Sequence, residues 1–454
     1  MPSPHAVEAD LPSERRVATL LGTLVALTVV GSSAVAVAIP VVREELDLTV
    51  SDSAWIFAVF QLTFAVATAT FGRVADLVGL RRPLVIGITM MTIGSIMVGA
   101  APGFGVLLAG RVIQGIGAGA VPVLANGIVG TRFTGEARTA IYASITAVVS
   151  AVSGSGPVIG GGMEALLGWR WVFAVPALGI LLIPSILPLA PSDRGQGSFD
   201  GIGAATSALG ITGFLLLLQA PSAGGVVGAV GALLLLTMGP AAAWWIRREP
   251  EGFIPQSVVG NAVIARCAGV AALCLAGYFG ALFATPVMIA DAFGWQPLQI
   301  GLALLPAAAL GAIGSRVAGA LTGRFGHFRV AGTAAAISTS TILIASAGNH
   351  VLPLIVLGLA GGSIGFSGAQ VAMTDRVTTA APEGTLGVTL GVYNMLQFAG
   401  GAAGSALIGG LSDLVSLEVA LACSAVLPAT GAWLAVSGHR AGVATQRALA
   451  EAGS

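Results

Sequence analysis

Fourteen apolar stretches, each long enough to cross a bilayer as a helix, restrict this chain more than any other feature of its sequence. They lie at about 17–40, 54–72, 84–101, 104–130, 139–163, 171–190, 202–220, 224–246, 262–290, 298–318, 330–347, 351–373, 385–410 and 418–437. In hydrocarbon every backbone N–H and C=O must find its partner inside the structure, so the expected fold is an all-α membrane bundle. With 56% hydrophobic and only 9% charged residues, a soluble fold is excluded. The 65 glycines suit such a bundle, because small residues let helices approach where no hydrophobic force draws them together. A count of twelve helices would keep the same parity. The leucine runs at 215–218 and 233–236 favour fourteen.

Positive charge concentrates in cytoplasmic loops, which gives the arginines value as an independent check. With the N-terminus inside, all arginines fall on the cytoplasmic side except Arg43 and Arg170, which lie outside, and Arg111 and Arg316, which lie within spans. The chain is therefore expected to be multi-pass in the inner (plasma) membrane with both termini cytoplasmic. The expected organisation is a cytoplasmic N-terminus at 1–16, a six-helix bundle at 17–190, a linker with two inserted helices at 191–260, a second six-helix bundle at 261–437 and a cytoplasmic tail at 438–454. The first apolar segment is too long for a secretory signal and is read as a retained helix.

Several functions are set aside by the same residues. The formal charge is zero and no basic tract is present, so no nucleic-acid partner is expected. Cys267, Cys274 and Cys423 sit in apolar surroundings without metal-ligand or redox spacing, and are expected to be buried and unpaired. His5, His327, His350 and His439 are scattered at termini and loop ends. Neither a metal site nor a nucleophile–base pair assembles from them, so the chain is not expected to be an enzyme or to hold a cofactor.

Two loops repeat. GRVADLVGLRRPL at 72–84 and GALTGRFGHFRV at 319–330 align at an offset of 247 residues, placing Gly72 on Gly319, Gly79 on Gly326 and Arg82 on Arg329. Such internal repetition implies two related halves with a substrate site between them. In the first copy Gly72, Arg73, Asp76, Gly79, Arg81 and Arg82 form a compact motif. Its glycines permit a tight connection, and Asp76 can face a helix N-terminus and pair with a guanidinium as a latch. In the second copy Gly323 replaces Asp76, so any latch is asymmetric.

Two further patterns lie within spans. RVIQGIGAGA at 111–120 places Arg111 inside the membrane, where a charge is costly unless its surroundings are wet or paired, and Gln114 lies one turn away on the same face. GSGPVIGGG at 154–162 combines Gly156 and Pro157 with Gly160 and Gly161, giving a smooth helix face that can bend.

Together these passages resemble the major facilitator superfamily, and within it the fourteen-helix drug:proton antiporter family. The resemblance covers nearly the whole chain. SDSAWIFAVFQLTFA at 51–65, GWRWVF at 168–173 and SFDGIG at 198–203 resemble that family's second helix, its entry to the sixth and its entry to the inserted seventh. The resemblance implies two six-helix bundles with two additional helices between them, alternating access, a role for Arg111 in proton transfer, and export associated with the Gly156–Pro157 pattern, whose first glycine is Val152 here.

One position departs from the family. Relatives usually carry an acidic residue in the first helix where this chain has Gly31, and no carboxylate here falls at mid-membrane. A desolvated carboxylate is the usual proton carrier, whereas an arginine does not titrate usefully, so coupling would run through Asp76 or Asp375 with Arg111 and Gln114. Polar and aromatic residues of otherwise apolar helices mark the expected substrate contacts: Tyr393, Asn394 and Gln397, then Phe60 and Gln61, then Tyr278.

The reading is a secondary active exporter of amphipathic small molecules, proton-driven, working as a monomer in contact with membrane lipid. The alternatives are an uncoupled or differently coupled facilitator or importer of small metabolites, and a transporter-like receptor.

Overall fold

The structure is a computed structural model; the residues described are 13–191, 200–348, 350–382 and 385–452, excluding the side chains of Asp76, Thr139, Ser150, Ser222 and 441–452. It is helical throughout, with no strand among the described residues. The first half contains α1 (Glu14–Ser33), α2 (Val35–Glu45), α3 (Val50–Val78), α4 (Arg81–Gly99), α5 (Phe104–Arg132), α6 (Gly135–Leu167), α7 (Trp169–Ala174) and α8 (Ile183–Ile186). An inserted hairpin, α9 (Gly201–Ala223) and α10 (Gly225–Arg248), is followed by a single turn, α11 (Gln256–Val259). The second half contains α12 (Ala262–Phe293), α13 (Pro297–Phe325), α14 (His327–Ala347), α15 (Leu352–Ala380), α16 (Leu386–Leu411), α17 (Leu417–Ser424) and α18 (Val426–Ala452).

Among the described residues, thirteen helical segments meet the length and apolarity needed to cross a membrane. Tyr393, Asn394 and Gln397 reduce the apolarity of α16, which nevertheless packs along both α3 and α12 inside the bundle and makes the fourteenth crossing. Three crossings among the described residues depart from a regular α-helix, the last of them by a break at Ala425 between α17 and α18. The first is interrupted at Ala34, where the hydroxyls of Ser32 and Ser33 both donate back to the carbonyl of Val29 at 3.0 Å, a pattern that bends helices. The sixth passes from α7 into a 3₁₀ turn at Val175–Leu182 and another at Leu187–Leu189, because Pro176, Pro184 and Pro188 each remove a backbone donor.

The repeat read from sequence is visible in the backbone. Gly79 ends α3 at φ 80° and Gly326 ends α13 at φ 86°, so both copies turn through a conformation that only glycine adopts without strain. The hairpin α9–α10 packs on α16 and α3, at the seam between the halves. Asp200 anchors it: Oδ1 accepts from Gly203 N at 2.8 Å and Trp245 Nε1 at 2.9 Å, and Oδ2 accepts from Phe253 N at 2.8 Å. Of the three cysteines expected to be buried, Cys267 and Cys274 are, but Cys423 is exposed because its face of α17 points away from the bundle.

Candidate functional site

The two ends of the bundle differ. At the end bearing the repeated loops, a cavity of about 590 Å³ lies between the halves. Its wall comes from α3 (Phe64, Thr68, Gly72, Arg73), α5 (Pro122, Asn126), α6 (Tyr142), the segment after the inserted hairpin (Phe253), α15 (Phe366, Gln370) and α16 (Gly391, Asn394, Gln397, Phe398). At its floor Phe64 meets Phe398 edge-on, with centroids 4.7 Å apart, joining the two halves. Gln397 Nε2 donates to Gln370 Oε1 across the α15–α16 seam. Arg73 is the only charged side chain among the described lining residues. Its Nη2 donates to the carbonyl of Glu251 at 3.1 Å, while its buried Nε has no partner.

The opposite end is shut by contacts between the halves. A Cβ on Gly161 of α6 would stand 2.5 Å from the carbonyl oxygen of Pro297 and 2.6 Å from Leu298 Cα, and one on Gly301 of α13 would stand 2.3 Å from the carbonyl oxygen of Pro157. Only the absence of side chains lets α6 and α13 approach this closely. Gly156 and Gly160 face the first crossing instead, against Ser33 and Ala34 at its interruption. Phe57 and Phe283 meet edge-on across the halves at 6.0 Å. Arg43 pairs with Asp291 at 3.3 Å at the rim. Nearby, Glu45 accepts from Arg170 Nη1 at 2.6 Å and Trp169 Nε1 at 2.5 Å, bonds that hold its carboxyl below the usual carboxylate range, with the Arg170 bond the larger cause.

Arg111 is wholly buried between these two ends. Close glycine packing puts it there. A Cβ on Gly115 would reach Phe60 O of α3 at 2.7 Å and one on Gly117 would reach Met91 N of α4 at 2.1 Å, so α5 is drawn against both neighbours. The guanidinium then serves three neutral acceptors: Nε donates to Ile56 O at 3.0 Å, and Nη1 donates to Gly31 O at 2.9 Å and Gln114 Oε1 at 2.7 Å. Gly31 lies in the last turn of α1, where carbonyls lack intrahelical partners, so the interruption at Ala34 supplies one of these acceptors. Gln114 Nε2 donates onward to Ser95 Oγ at 2.8 Å and Phe173 O at 3.0 Å. The Phe60 ring covers the guanidinium with its centroid 4.0 Å from Cζ.

The structure brings some of the expected site residues together and separates others. Arg111 and Gln114 share one network, whereas Asp375 lies 2.7 Å from His327 Nε2 near the loop-bearing end. The side chain of Asp76 lies outside the described residues, and Arg81 and Arg82 are exposed. Of the six expected substrate contacts, Asn394 and Gln397 line the cavity. Tyr393 does not: one position earlier on α16, it turns about 100° away toward Thr374 and the buried face of α12. Phe60 and Gln61 are likewise buried behind the wall, with Phe60 held against Arg111. Tyr278 stacks on Phe366, which is itself a lining residue. Sequence reasoning missed Phe64, Phe366, Gln370 and Phe398. Phe64 lies one turn from Phe60 and Gln370 faces Gln397, but only the helix phases, fixed by packing, show which side chains reach the cavity.

The sequence model of the Major Facilitator Superfamily matches residues 21–405. The chain is 27% identical over 412 residues to the tetracenomycin C resistance and export protein of Streptomyces glaucescens, covering 86% of this chain and 75% of that one. It is 26% identical over 410 residues to the uncharacterized MFS-type transporter EfpA of Mycobacterium tuberculosis (strain CDC 1551 / Oshkosh), covering 86% and 76% respectively. Among solved structures, the POT family transporter PepTSo superposes with a TM-score of 0.71 at 11% identity over 95% of this chain and 99% of that one, a likeness of fold alone.

Proposed function

The chain belongs to the Major Facilitator Superfamily, and on that premise we propose that it is a secondary active exporter of amphipathic small molecules that works by alternating access. The family and the relatives are transporters, and the chain is a multi-pass membrane transporter rather than an enzyme. The observation that carries the alternating-access reading is the single-sided cavity: about 590 Å³ between the halves at the loop-bearing end, with the far end closed on Gly161 and Gly301. In this reading the loop-bearing end faces the cytoplasm of the inner membrane, consistent with the distribution of arginines. A molecule enters from inside, the α6–α13 contact parts, and the floor at Phe64 and Phe398 closes beneath it. Similarity to a protein named for tetracenomycin C resistance and export favours outward movement.

A proton gradient is the proposed drive. Arg111 has no carboxylate partner among the described residues, so protons would enter through Asp76 and Asp375 near the loop-bearing end, while Arg111 and Gln114 join α1, α3, α4, α5 and the sixth crossing into one moving body. Cells expressing the chain should hold less of a lipophilic dye than cells lacking it, and everted vesicles should take the dye up. Accumulation of dye by the expressing cells above the control would instead favour import.

A further inference from the structure

This inference rests on the exporter reading and concerns the charge of the substrate. Arg111 is fully buried, permanently cationic and bonded only to neutral acceptors, and its Nη2 has no partner. Position 31, whose carbonyl it holds, carries no side chain to neutralise it. A cation left without a counter-charge at membrane depth is an unfinished arrangement, because burying a charge is costly unless it is paired.

The cavity lies close by. The Phe60 ring covers Arg111, the Phe64 ring follows 6.0 Å from Phe60, and Phe64 lines the cavity with Phe398. Aromatic rings do not screen charge as water does, so the field of Arg111 reaches the cavity floor. At ~10 Å and an effective dielectric constant of ~20, that attraction is worth roughly tenfold in affinity. Toward the mouth, Arg73 adds a second positive charge with a buried, unpartnered Nε. No carboxylate is among the described lining residues; the remaining polar groups include the amides of Asn126, Gln370, Asn394 and Gln397.

We propose that the transported molecule is an organic anion: an aromatic body packed against Phe64, Phe366 and Phe398, with a carboxylate or similar acidic group whose charge offsets Arg73 and Arg111. The substrate thereby supplies the counter-charge that the protein lacks at Gly31. A cationic amphipath of the same shape meets two positive charges and, among the described lining residues, no negative one.

The test uses two dyes built on one xanthene body, carboxyfluorescein (anionic) and rhodamine 123 (cationic), with the purified full chain in nanodiscs and fluorescence anisotropy as the readout. Carboxyfluorescein is expected to bind at least tenfold more tightly. Gly31→Asp should abolish most of that advantage, while Gly31→Asn, of the same size without the charge, should keep it. A Cβ at position 31 makes only ordinary van der Waals contact, with Pro176 Cγ at 3.4 Å and Phe60 Cζ at 3.8 Å, and any remaining crowding is common to the two variants, which differ in charge and not in size. Arg73→Gln should also reduce the advantage. Equal or tighter binding of rhodamine 123, binding of neither dye, or an anion preference untouched by Gly31→Asp overturns the proposal. Flux of both dyes in proteoliposomes separates the two readings. Anion binding without vectorial movement leaves the charge assignment standing and removes the exporter, and movement of rhodamine 123 without anion binding does the reverse.

Discussion

Arg111 Nη1 donates to the carbonyl oxygen of Gly31 at 2.9 Å, across 80 residues of chain. The bond ties the first third of α5 to the last turn of α1 just before the first crossing is interrupted. A backbone dipole thus stands where the family resemblance implies a carboxylate. The substitution keeps the guanidinium oriented but leaves its charge uncompensated, and the mechanics of the half and the choice of substrate both follow from this one contact.

Arg111→Lys should lower transport at least ~10-fold, equivalent to about 1.4 kcal/mol in the limiting barrier. A compact ammonium retains the charge but lacks the planar fork that reaches Ile56, Gly31 and Gln114 together. Initial rates of dye efflux at matched expression measure this. A full rate in the variant would show that charge alone suffices.

Gly161→Leu should hold the far end open, since even a Cβ there would come within 2.5 Å of the Pro297 carbonyl oxygen. In a Cys423→Ser background, which removes the one exposed native thiol among the described residues, a cysteine introduced as Phe283→Cys reports on that end. An impermeant maleimide applied from the far side should label it several-fold faster with Gly161→Leu than without. Equal labelling would mean that the α6–α13 contact is not the gate.

Asp200→Ala removes an acceptor serving Gly203 N, Trp245 Nε1 and Phe253 N, the groups that fasten both ends of the inserted hairpin. A loss of about 2–4 kcal/mol is expected, because bonds to a charged acceptor exceed neutral ones and the donors are left unpaired. Thermal unfolding in detergent gives the change. A melting midpoint unchanged within error would show that the hairpin is held by apolar packing alone.

Glu45 carries a pH dependence of defined sign. Its folded pKa is lowered, chiefly by Arg170 and next by Trp169, so its contribution is present above the ordinary carboxylate value and is lost as pH falls through the folded one. With the side chains of Arg170 and Glu45 40% and 45% exposed, solvent screening limits the pair to below about 1 kcal/mol. Glu45→Gln should therefore lower the melting midpoint slightly at pH ~7 and match the parent only once the pH is below the folded pKa, itself below the ordinary carboxylate value of ~4.3. A gap that widens on acidification would reverse the sign and remove the ion pair as its cause.

Energy coupling is tested by neutralising Asp76 and Asp375 together as asparagines. In proteoliposomes the part of substrate accumulation that depends on an imposed pH gradient should vanish, leaving downhill flux. Gradient-driven accumulation that survives the double change would place the proton path elsewhere.

Much of the architecture was legible because membrane physics reduces it to one dimension. Segment length, apolarity and the sidedness of arginines depend on each stretch separately, so fourteen crossings and the repeat through Gly79 and Gly326 could be read from sequence. The sixth crossing showed the limit of that reading, since apolarity marked the span but three prolines set its 3₁₀ form. Arg111 and Gln114 were legible as a pair because i, i+3 spacing places them on one helix face. Their partners were not, because Ile56, Gly31 and Phe173 offer backbone carbonyls, which carry no residue-type signal.

The cavity belonged almost wholly to the tertiary structure. Asn394 and Gln397 line it while Tyr393, their neighbour, faces the core, and Phe64 lines it while Phe60 covers Arg111. Sequence alone determined that polar and aromatic groups lie at these depths, because depth follows from distance along a helix of fixed rise. Which of them reach the cavity is decided by the rotation of each helix about its axis. That rotation is set by glycine contacts such as those of α5 with α3 and α4 and of Gly400 and Gly404 of α16 with α12, which form only when helices distant in the chain meet.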